Sequence, residues 1–369
     1  MRRARSIVFR GQQAGLDCVE RDVPPPGSAE LVVQVTHAGV CGSDGHHLTG
    51  EVAATGTDRG YTAISAYHFG HEGIGTIVEL GSGVSADRAG APLSVGDRVF
   101  WSPPTPCGVC ESCTADWPTA LCANLDWPQG VGRPSSASYQ DFATISTRAA
   151  YFRIPDSAAS DAVIAFGCAM PTALGGLRRL GGVSAGATVV IQGNGPVGLA
   201  ATMLFGLGPA SRIVVIGEPG ERMTAAENLG ATHTVSLPDT DETQRLQYVR
   251  DLTAGRGADV VVEAAGHVSA FDEAVPMLGL RGRLLVLGLF SGGSTVPFNP
   301  VLVNNREISI IGSLGCPIDD YGRSVELADR HGDALGLHNL VTHRFPLEQV
   351  TEAITAATSG VAVKAVVNP

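Results

Sequence analysis

A glycine-rich turn between an apolar strand and a helix places the strongest constraint on the fold of this chain. The stretch VVIQGNGPVGLAA contains G-x-G-x-x-G as Gly193, Gly195 and Gly198. The first glycine permits a tight turn, the second lets the backbone approach a pyrophosphate, and the third lets the helix pack on the strand. The free N–H groups of the helix that opens at Pro196 and Val197 can then bind phosphates. The motif alone is weak, but in this context it predicts a dinucleotide site.

The same alternation of strand and helix continues on both sides of this turn. RIVVIGEPGERMTAAENLGA repeats the strand–turn–helix pattern, AVIAFGCAMPTALGGLRRLGG has helical spacing, and ADVVVEAAGH and GRLLVLGLF are further apolar strands. Near-continuous apolar strands between helices indicate a parallel sheet covered on both faces. We therefore predict an α/β chain with a doubly wound domain at 166–305. A β-rich domain at 1–165 and 306–369 would contain LVVQVTHAGV, GIGTIVELG and VGDRVFW.

An acidic residue after the next apolar strand bears on the choice of dinucleotide. Glu218 in VVIGEPGER can hydrogen-bond the hydroxyls of an adenosine ribose. A carboxylate there would repel a 2′-phosphate, which favours NAD over NADP. Arg222 lies one turn further on and could instead reach a phosphate, so both cofactors stay open.

Charge and hydropathy exclude several kinds of partner. The 369 residues carry a formal net charge of −11, which argues against nucleic acid as a partner. No apolar stretch approaches the roughly 18 residues of a membrane span, and SIVF near the start is too short for a signal-peptide core. We expect a cytoplasmic protein with no membrane partner. In a reducing cytoplasm, the eight cysteines favour metal binding over disulfides.

Four of these cysteines cluster in CGVCESCTADWPTALC, as Cys107, Cys110, Cys113 and Cys122. Four thiolates fill a tetrahedral zinc shell and leave no open position for a substrate. The cluster therefore predicts a structural zinc in a lobe at about 103–125.

A second set of ligand types is spread along the chain. A catalytic zinc needs three protein ligands and one open position. Cys41 in CGSDGHHLTG, His71 in FGHEGIG and Cys168 in GCAMPTALGG would supply two sulfurs and one nitrogen.

Taken together, these motifs resemble those of the zinc-dependent medium-chain alcohol dehydrogenases. The resemblance runs almost end to end and includes GVCGSD, GHEGIG, VGDRV, the cysteine cluster, the cofactor turn and the closing KAVVNP. It implies a GroES-like catalytic domain, a Rossmann cofactor domain, two Zn²⁺ per chain and NAD. It also implies reversible hydride transfer between NAD and a small-molecule alcohol or carbonyl. A homodimer or homotetramer would pair an edge strand of the cofactor domain, for which STVPFNPVLV is the candidate.

The resemblance gives each residue of the opening motif a role. Cys41 matches the first ligand of the catalytic zinc, and Ser43 matches the hydroxyl that bonds the substrate alcohol. Asp44 matches the carboxylate that orients the zinc-bound histidine, here His71. His46 matches the histidine that passes the proton to solvent.

Further matches concern the metal surroundings and the cofactor. Glu72 matches a carboxylate behind the zinc that can approach it when ligands exchange. Thr172 and Val197 match residues packed against the nicotinamide, and Lys364 matches a basic residue on the pyrophosphate. His47 has no counterpart, and we expect an exposed loop histidine.

Some features depart from the family pattern and leave alternatives open. The last gap of the cysteine cluster is one residue longer than usual, and the 48–70 segment is longer than in many relatives. We expect that segment to form a loop near the substrate. Cysteine at 168, where polyol-handling relatives often carry glutamate, and an aromatic content of only 5% favour a secondary or cyclic alcohol. The alternatives are a polyol or sugar dehydrogenase, a non-catalytic protein that binds nucleotide and zinc, and a zinc-free NADPH quinone or enone reductase.

Overall fold

Two compact units make up the chain in a computed structural model that describes residues 2–51, 66–115, 121–126, 134–288 and 294–369. Unit 1 comprises Met1–Pro171 and Gly315–Pro369, and unit 2 comprises Thr172–Leu314. No helix in the described ranges is long and apolar enough to cross a membrane.

The strands of the described ranges are numbered in chain order. They are β1 (Arg2–Phe9), β2 (Leu16–Val23), β3 (Glu30–Gly39), β4 (Tyr67–His68), β5 (Gly73–Leu80), β6 (Arg98–Ser102), β7 (Phe142–Ser146), β8 (Ala150–Arg153), β9 (Thr188–Gln192), β10 (Arg212–Gly217), β11 (His233–Ser236), β12 (Ala258–Glu263), β13 (Leu278–Val286), β14 (Ser309–Gly312), β15 (Val341–Pro346) and β16 (Lys364–Asn368).

The helices are numbered in the same way. They are α1 (Gly42–Thr49), α2 (Glu111–Thr114), α3 (Ser160–Ile164), α4 (Ala169–Leu180), α5 (Pro196–Gly206), α6 (Glu221–Asn228), α7 (Glu242–Leu252), α8 (Val268–Met277), α9 (Val301–Asn305), α10 (Asp319–His331) and α11 (Val350–Thr358), with short 3₁₀ turns at Leu337–Leu340 and Leu347–Gln349.

Unit 2 is built on a six-stranded parallel sheet in the order β11-β10-β9-β12-β13-β14. Counted within the unit, this order is 3-2-1-4-5-6, the arrangement of a dinucleotide-binding doubly wound fold. Every residue of β9 is buried, because helices cover both faces of a central parallel strand and favour the run TVVIQ there. The predicted doubly wound parallel sheet is confirmed.

The limits of unit 2 differ from the predicted ones. The unit begins at Thr172 instead of 166 and ends at Leu314 instead of 305. Its end lies later because β14 pairs with β13 and is the sixth strand of the sheet. STVPFNPVLV is therefore not the edge strand: its last residues belong to α9, and β14 lies at the edge.

Unit 1 contains a mixed sheet in the order β15-β16-β3-β5-β6-β8, in which β7 also pairs with β3. A smaller sheet has the order β2-β1-β4. The C-terminal strand β16 pairs antiparallel with β3, with Val366 opposite Gly39. Apolar residues of these strands, among them Leu31, Val33 and Trp101, are fully buried in one core. The chain therefore returns at its end to complete the unit in which it began.

The helical run predicted over AVIAFGCAMPTALGGLRRLGG is two helices instead of one. Helix α3 ends at Ile164 and α4 begins at Ala169. Gly167 between them has φ +52°, a left-handed backbone conformation that residues other than glycine rarely adopt. This break leaves Cys168 immediately before α4, where its backbone N–H can donate to a side chain.

Candidate metal centres and nucleotide site

The four predicted cysteines of the lobe lie around one point. The sulfurs of Cys107, Cys110, Cys113 and Cys122 all lie within 4.8 Å of one another. Neighbouring sulfurs are 3.5, 3.9 and 4.0 Å apart. Zinc–sulfur bonds of about 2.3 Å in a tetrahedron place sulfurs about 3.8 Å apart. The cluster therefore has the dimensions of a closed zinc shell.

Backbone N–H groups support thiolate ligands in this cluster. Hydrogen bonds from the backbone of Ala123 and Cys113 lower the pKa of Cys110 to about 6, whereas burial and the neighbouring thiols raise the pKa of Cys113 to about 12, so a cation is needed to hold all four as thiolates. The backbone N–H of Cys107 lies 3.3 Å from the sulfur of Cys122 and donates to it. A zinc ligand must be deprotonated, so these donors fit a metal better than a set of neutral thiols.

A second cluster brings together residues that are far apart in the chain. One ligand atom from each of Cys41, His71, Glu72 and Cys168 lies within 4.8 Å of the others. The sulfurs of Cys41 and Cys168 are 3.5 Å apart. A hydrogen bond from Cys168 lowers the pKa of Cys41 well below that of a free thiol. The donor set has two sulfurs and one imidazole, with a carboxylate behind them, and it fits zinc.

Asp44 fixes the orientation of the histidine in this cluster. Its Oδ1 lies 3.1 Å from His71 Nδ1, which leaves Nε2 for a metal. Its Oδ2 accepts hydrogen bonds from Cys41 N–H at 3.0 Å and from the hydroxyl of Tyr139 at 2.7 Å. Asp44 is 1% exposed, so each of these bonds lies in a region of low dielectric. Tyr139 carries no motif, and the sequence analysis missed it.

Two glycines make room for Glu72. A Cβ at Gly39 or at Gly167 would overlap its carboxylate. Its Oε1 accepts the backbone N–H of Cys168 at 2.8 Å. Its Oε2 accepts the ammonium of Lys364 at 2.5 Å. The carboxylate therefore joins the start of β5, the break before α4 and the last strand, β16.

The side chain of Lys364 is enclosed in unit 1, and its predicted contact with a pyrophosphate stays a prediction. The residue is 2% exposed, and its ammonium also donates to the carbonyl of Val40 at 3.0 Å. Burial opposes its charge, but Glu72 and the nearby thiols raise its pKa above the ordinary lysine value. Because the ammonium is enclosed and bound within unit 1, it serves as the counter-charge of Glu72.

The two histidines and the serine of α1 differ in their surroundings. The hydroxyl of Ser43 lies 3.4 Å from His71 Nε2, beside the nitrogen that faces the metal position. The side chain of His46 is 40% exposed and pairs with Glu51. His47 is not the exposed loop histidine we expected. It is half-buried, its Nδ1 lies 2.9 Å from the hydroxyl of Tyr67, and burial lowers its pKa to about 4.

The long 48–70 segment lies largely outside the described residues, which resume at 66. Its predicted place near the substrate stays a prediction.

The glycines of the nucleotide turn have three different surroundings. Gly193 has φ +99°, and a Cβ there would lie 2.9 Å from the backbone of Ala264. A Cβ at Gly198 would overlap the carbonyl of Gly193. A Cβ at Gly195 would meet nothing within 4 Å, so the backbone there borders open space. Helix α5 begins directly after Gly195, and its N-terminus is therefore open to a phosphate.

The other predicted cofactor residues lie on neighbouring elements of unit 2. Glu218 follows the last residue of β10 and is exposed. Arg222 is in the first turn of α6, and burial lowers its pKa. Val197 is the second residue of α5, and Thr172 is on α4 at the beginning of the unit.

Comparison with known families agrees with this architecture. The model of the alcohol dehydrogenase GroES-like domain matches residues 27–156, and the model of the zinc-binding dehydrogenase matches residues 196–330. The two matches together cover more than half of the chain.

Individual relatives match over nearly the full length. A 5-exo-hydroxycamphor dehydrogenase from Pseudomonas putida is 39% identical over 345 residues, which are 94% of this chain and 92% of the relative. A sorbitol dehydrogenase from Halalkalibacterium halodurans is 29% identical over 95% of this chain and 94% of its own length.

Solved structures share the fold. An alcohol dehydrogenase from Thermotoga maritima has a TM-score of 0.87 and 28% identity, with both chains covered completely. A Sinorhizobium meliloti 1021 protein solved with NADP bound has a TM-score of 0.82 and 24% identity, again with both chains covered completely, and this likeness concerns the fold alone. The chain belongs to the zinc-dependent alcohol dehydrogenases of the medium-chain dehydrogenase/reductase superfamily, enzymes of alcohol and polyol oxidoreduction that use a nucleotide cofactor.

Proposed function

We propose that the protein oxidises a secondary or cyclic alcohol with NAD, in a reversible reaction, and holds two zinc ions per chain. The observation that carries the proposal is the convergence of Cys41, His71 and Cys168, with the hydroxyl of Ser43 beside the imidazole. These three would hold the catalytic ion, and the four cysteines of the lobe would hold the structural one. A zinc-free reductase needs no such ligand set, and a protein that only binds zinc and nucleotide needs no hydroxyl beside the metal position.

The proton path is assigned to residues of α1. Zinc at this site would act as a Lewis acid that polarises the alcohol oxygen. The hydroxyl of Ser43 takes the proton of the alcohol and gives up its own. His46 is three residues further along the same helix face and is partly exposed, so it can carry the proton to solvent. A bound nicotinamide, lined by Thr172 and Val197, would supply the acceptor for the hydride of the alcohol carbon.

The carboxylate after β10 supports NAD as the cofactor. Glu218 is exposed next to the glycine turn and can accept hydrogen bonds from both ribose hydroxyls. Arg222 is partly buried. If the enzyme preferred NADP, the guanidinium of Arg222 would be the group that binds its 2′-phosphate. Gly193, Gly195, Pro196 and Gly198 would hold the pyrophosphate, with Lys364 as a further candidate, and Thr172 and Val197 would line the nicotinamide.

The substrate class rests on a relative and on one ligand. The 39% identical relative is named for hydroxycamphor, an alcohol on a ring carbon, whereas the relatives named for sorbitol are 29% identical. Cysteine at position 168, in place of a third-ligand glutamate, supports the same choice. A polyol dehydrogenase is the second candidate.

The proposal also includes a cytoplasmic location and assembly as a homodimer or homotetramer. All eight cysteines lie in the described ranges and none forms a disulfide, which suits a reducing cytoplasm. Pairing through the edge strand β14 would produce a homodimer or homotetramer, and molar mass in solution would test it.

The test combines initial rates with a metal count. Nicotinamide reduction would be followed with cyclic, secondary, primary and polyhydric alcohols, with NAD and with NADP, and with and without a chelator. We expect about two zinc ions per chain and a chelator-sensitive rate that is highest with NAD and a cyclic or secondary alcohol. One zinc per chain, or a higher rate with sorbitol, would contradict the proposal.

A further inference from the structure

The side chain of Asn194 lies inside the glycine turn and is hydrogen-bonded to the backbone of Glu218, the residue proposed to favour NAD over NADP. Its Nδ2 donates to the carbonyl of Glu218 at 2.6 Å, and its Oδ1 accepts the N–H of Glu218 at 3.3 Å. Asn194 is 4% exposed, so these bonds are enclosed by protein. One amide group thus binds both backbone polar groups of a single residue, as a neighbouring strand would.

The neighbouring chain is shaped to admit this amide. A Cβ at Gly217 would lie 2.5 Å from Asn194 Oδ1, so only a glycine leaves space there. Gly217 is the last residue of β10, and its own carbonyl accepts the N–H of Leu237 at 2.9 Å. At Glu218 the backbone leaves the sheet, and Asn194 continues the bonding that the sheet provides up to that point.

A carboxylate that recognises two ribose hydroxyls must be held to within about 0.5 Å. The side chain of Glu218 is exposed and begins at the first residue after a strand, so its backbone anchor decides where the carboxylate can reach. The anchor lies in the same turn that would bind the pyrophosphate. The distance between the phosphate-binding turn and the ribose-binding carboxylate is therefore set by the backbone pairing of β9 with β10, which ends where the N–H of Gly193 donates to the carbonyl of Ile216 at 2.8 Å, and beyond that point by the amide of Asn194.

We propose that Asn194 is a positioning residue that determines the preference for NAD over NADP by holding Glu218. The proposal rests on the assignment of Glu218 to the ribose in the proposed function. A merely structural asparagine would affect both nucleotides equally when it is replaced. A positioning asparagine acts on NAD, because NAD gains the ribose bonds and NADP meets the carboxylate as a repelling charge.

The experiment measures dissociation constants of NAD⁺ and NADP⁺ with the zinc-loaded enzyme, by calorimetry and without an alcohol. The variants are Asn194→Ala, Asn194→Leu, which keeps the volume, Glu218→Ala, and the double variant Asn194→Ala/Glu218→Ala. Thr202→Val is the matched control, because Thr202 is fully buried and its hydroxyl bonds the carbonyl of Gly198 in the same turn–helix segment.

We expect each Asn194 variant to lower the ratio of NAD to NADP affinity by about fivefold to tenfold, the effect of one to two hydrogen bonds. Glu218→Ala should lower it at least as much, and Asn194→Ala should add nothing in the Glu218→Ala background, since the two act through one contact. Thr202→Val should leave the ratio unchanged.

Two results would overturn the inference in different ways. If Glu218→Ala shifts the ratio and both Asn194 variants leave it unchanged, the NAD assignment stands and Asn194 has no positioning role. If Glu218→Ala leaves the ratio unchanged, the assignment of Glu218 fails, and a shift caused by Asn194 alone would then act by another route.

Discussion

Replacing Lys364 with methionine should destabilise the protein strongly, although the substitution removes a single charge. Lys364 and Glu72 are 2% and 1% exposed, and their charged atoms are 2.5 Å apart. At an effective dielectric constant of about 20, two charges at that distance attract by about 7 kcal/mol, and desolvation offsets much of this. Removing one partner of such a buried pair costs about 3–5 kcal/mol, because the other charge is left enclosed without compensation. Glu72 keeps its bond from the Cys168 N–H, which favours the lower end of that range.

Thermal unfolding of the zinc-loaded protein would measure this effect. We expect the Lys364→Met variant to melt about 10 °C lower, since 1 kcal/mol shifts the midpoint of a domain of this size by about 2–4 °C. Adding Glu72→Gln should restore most of the loss, because the enclosed charge is then gone. Arg3→Met is the matched control: Arg3 pairs with Glu20 on the surface with both side chains mostly exposed, and its loss should shift the free energy of unfolding by less than about 1 kcal/mol. A Lys364→Met variant that melts with the Arg3→Met control would refute the counter-charge role.

Four further perturbations follow from the site geometry. Ser43→Ala should lower kcat by about 10²-fold or more with little change in KM, as expected for a lost proton acceptor, and steady-state kinetics would show it; equal changes in kcat and KM would contradict the role. Asp44→Asn should weaken zinc retention by about 10–100-fold in a chelator competition, because the carboxylate that orients the imidazole is lost. Cys110→Ser should reduce the zinc count by one ion per chain and leave the Cys41 site loaded, so a loss of both ions would argue against two independent sites. Burial, and then Arg21, holds the pKa of His68 at about 4, below its ordinary 6.5. As the pH falls, His68 is therefore protonated in the unfolded chain before it is protonated in the folded protein. Up to about 3 kcal/mol of the free energy of unfolding should be lost between about pH 6.5 and about pH 4. In denaturant titrations the His68→Gln variant should lose less stability over that interval.

The features that sequence alone predicted depend on local spacing. The ligands of the lobe, Cys107 to Cys122, lie within sixteen consecutive residues, so a pattern of intervals describes the site. The glycine turn is likewise one strand, one turn and one helix, and its surroundings are found within a few residues. The continuous apolar runs also predicted the buried strands of unit 2, because a strand covered on both faces is apolar throughout.

The features that sequence reasoning missed depend on residues far apart in the chain. Lys364 contacts Glu72 only because β16 pairs with β3, and no local sequence pattern predicts that pairing. Gly167 and Gly39 make room for the same carboxylate from two separate segments. The Asn194 contact had a local signal, a polar residue inside the turn motif, but its partner became visible only with the position of β10.

The two sets of candidate metal ligands are distributed differently along the chain, which affects the order in which they become available during translation. The cysteines of the lobe leave the ribosome together, so a zinc ion could bind there while unit 2 is still to be synthesised. Unit 2 is one continuous stretch and can fold next. The cluster of Cys41, His71 and Cys168 lies against Glu72, whose counter-charge is on β16 and follows unit 2 in the chain. The order of translation thus supplies the ligands of the lobe early, whereas Glu72, beside the second cluster, meets its counter-charge only after unit 2 has been synthesised.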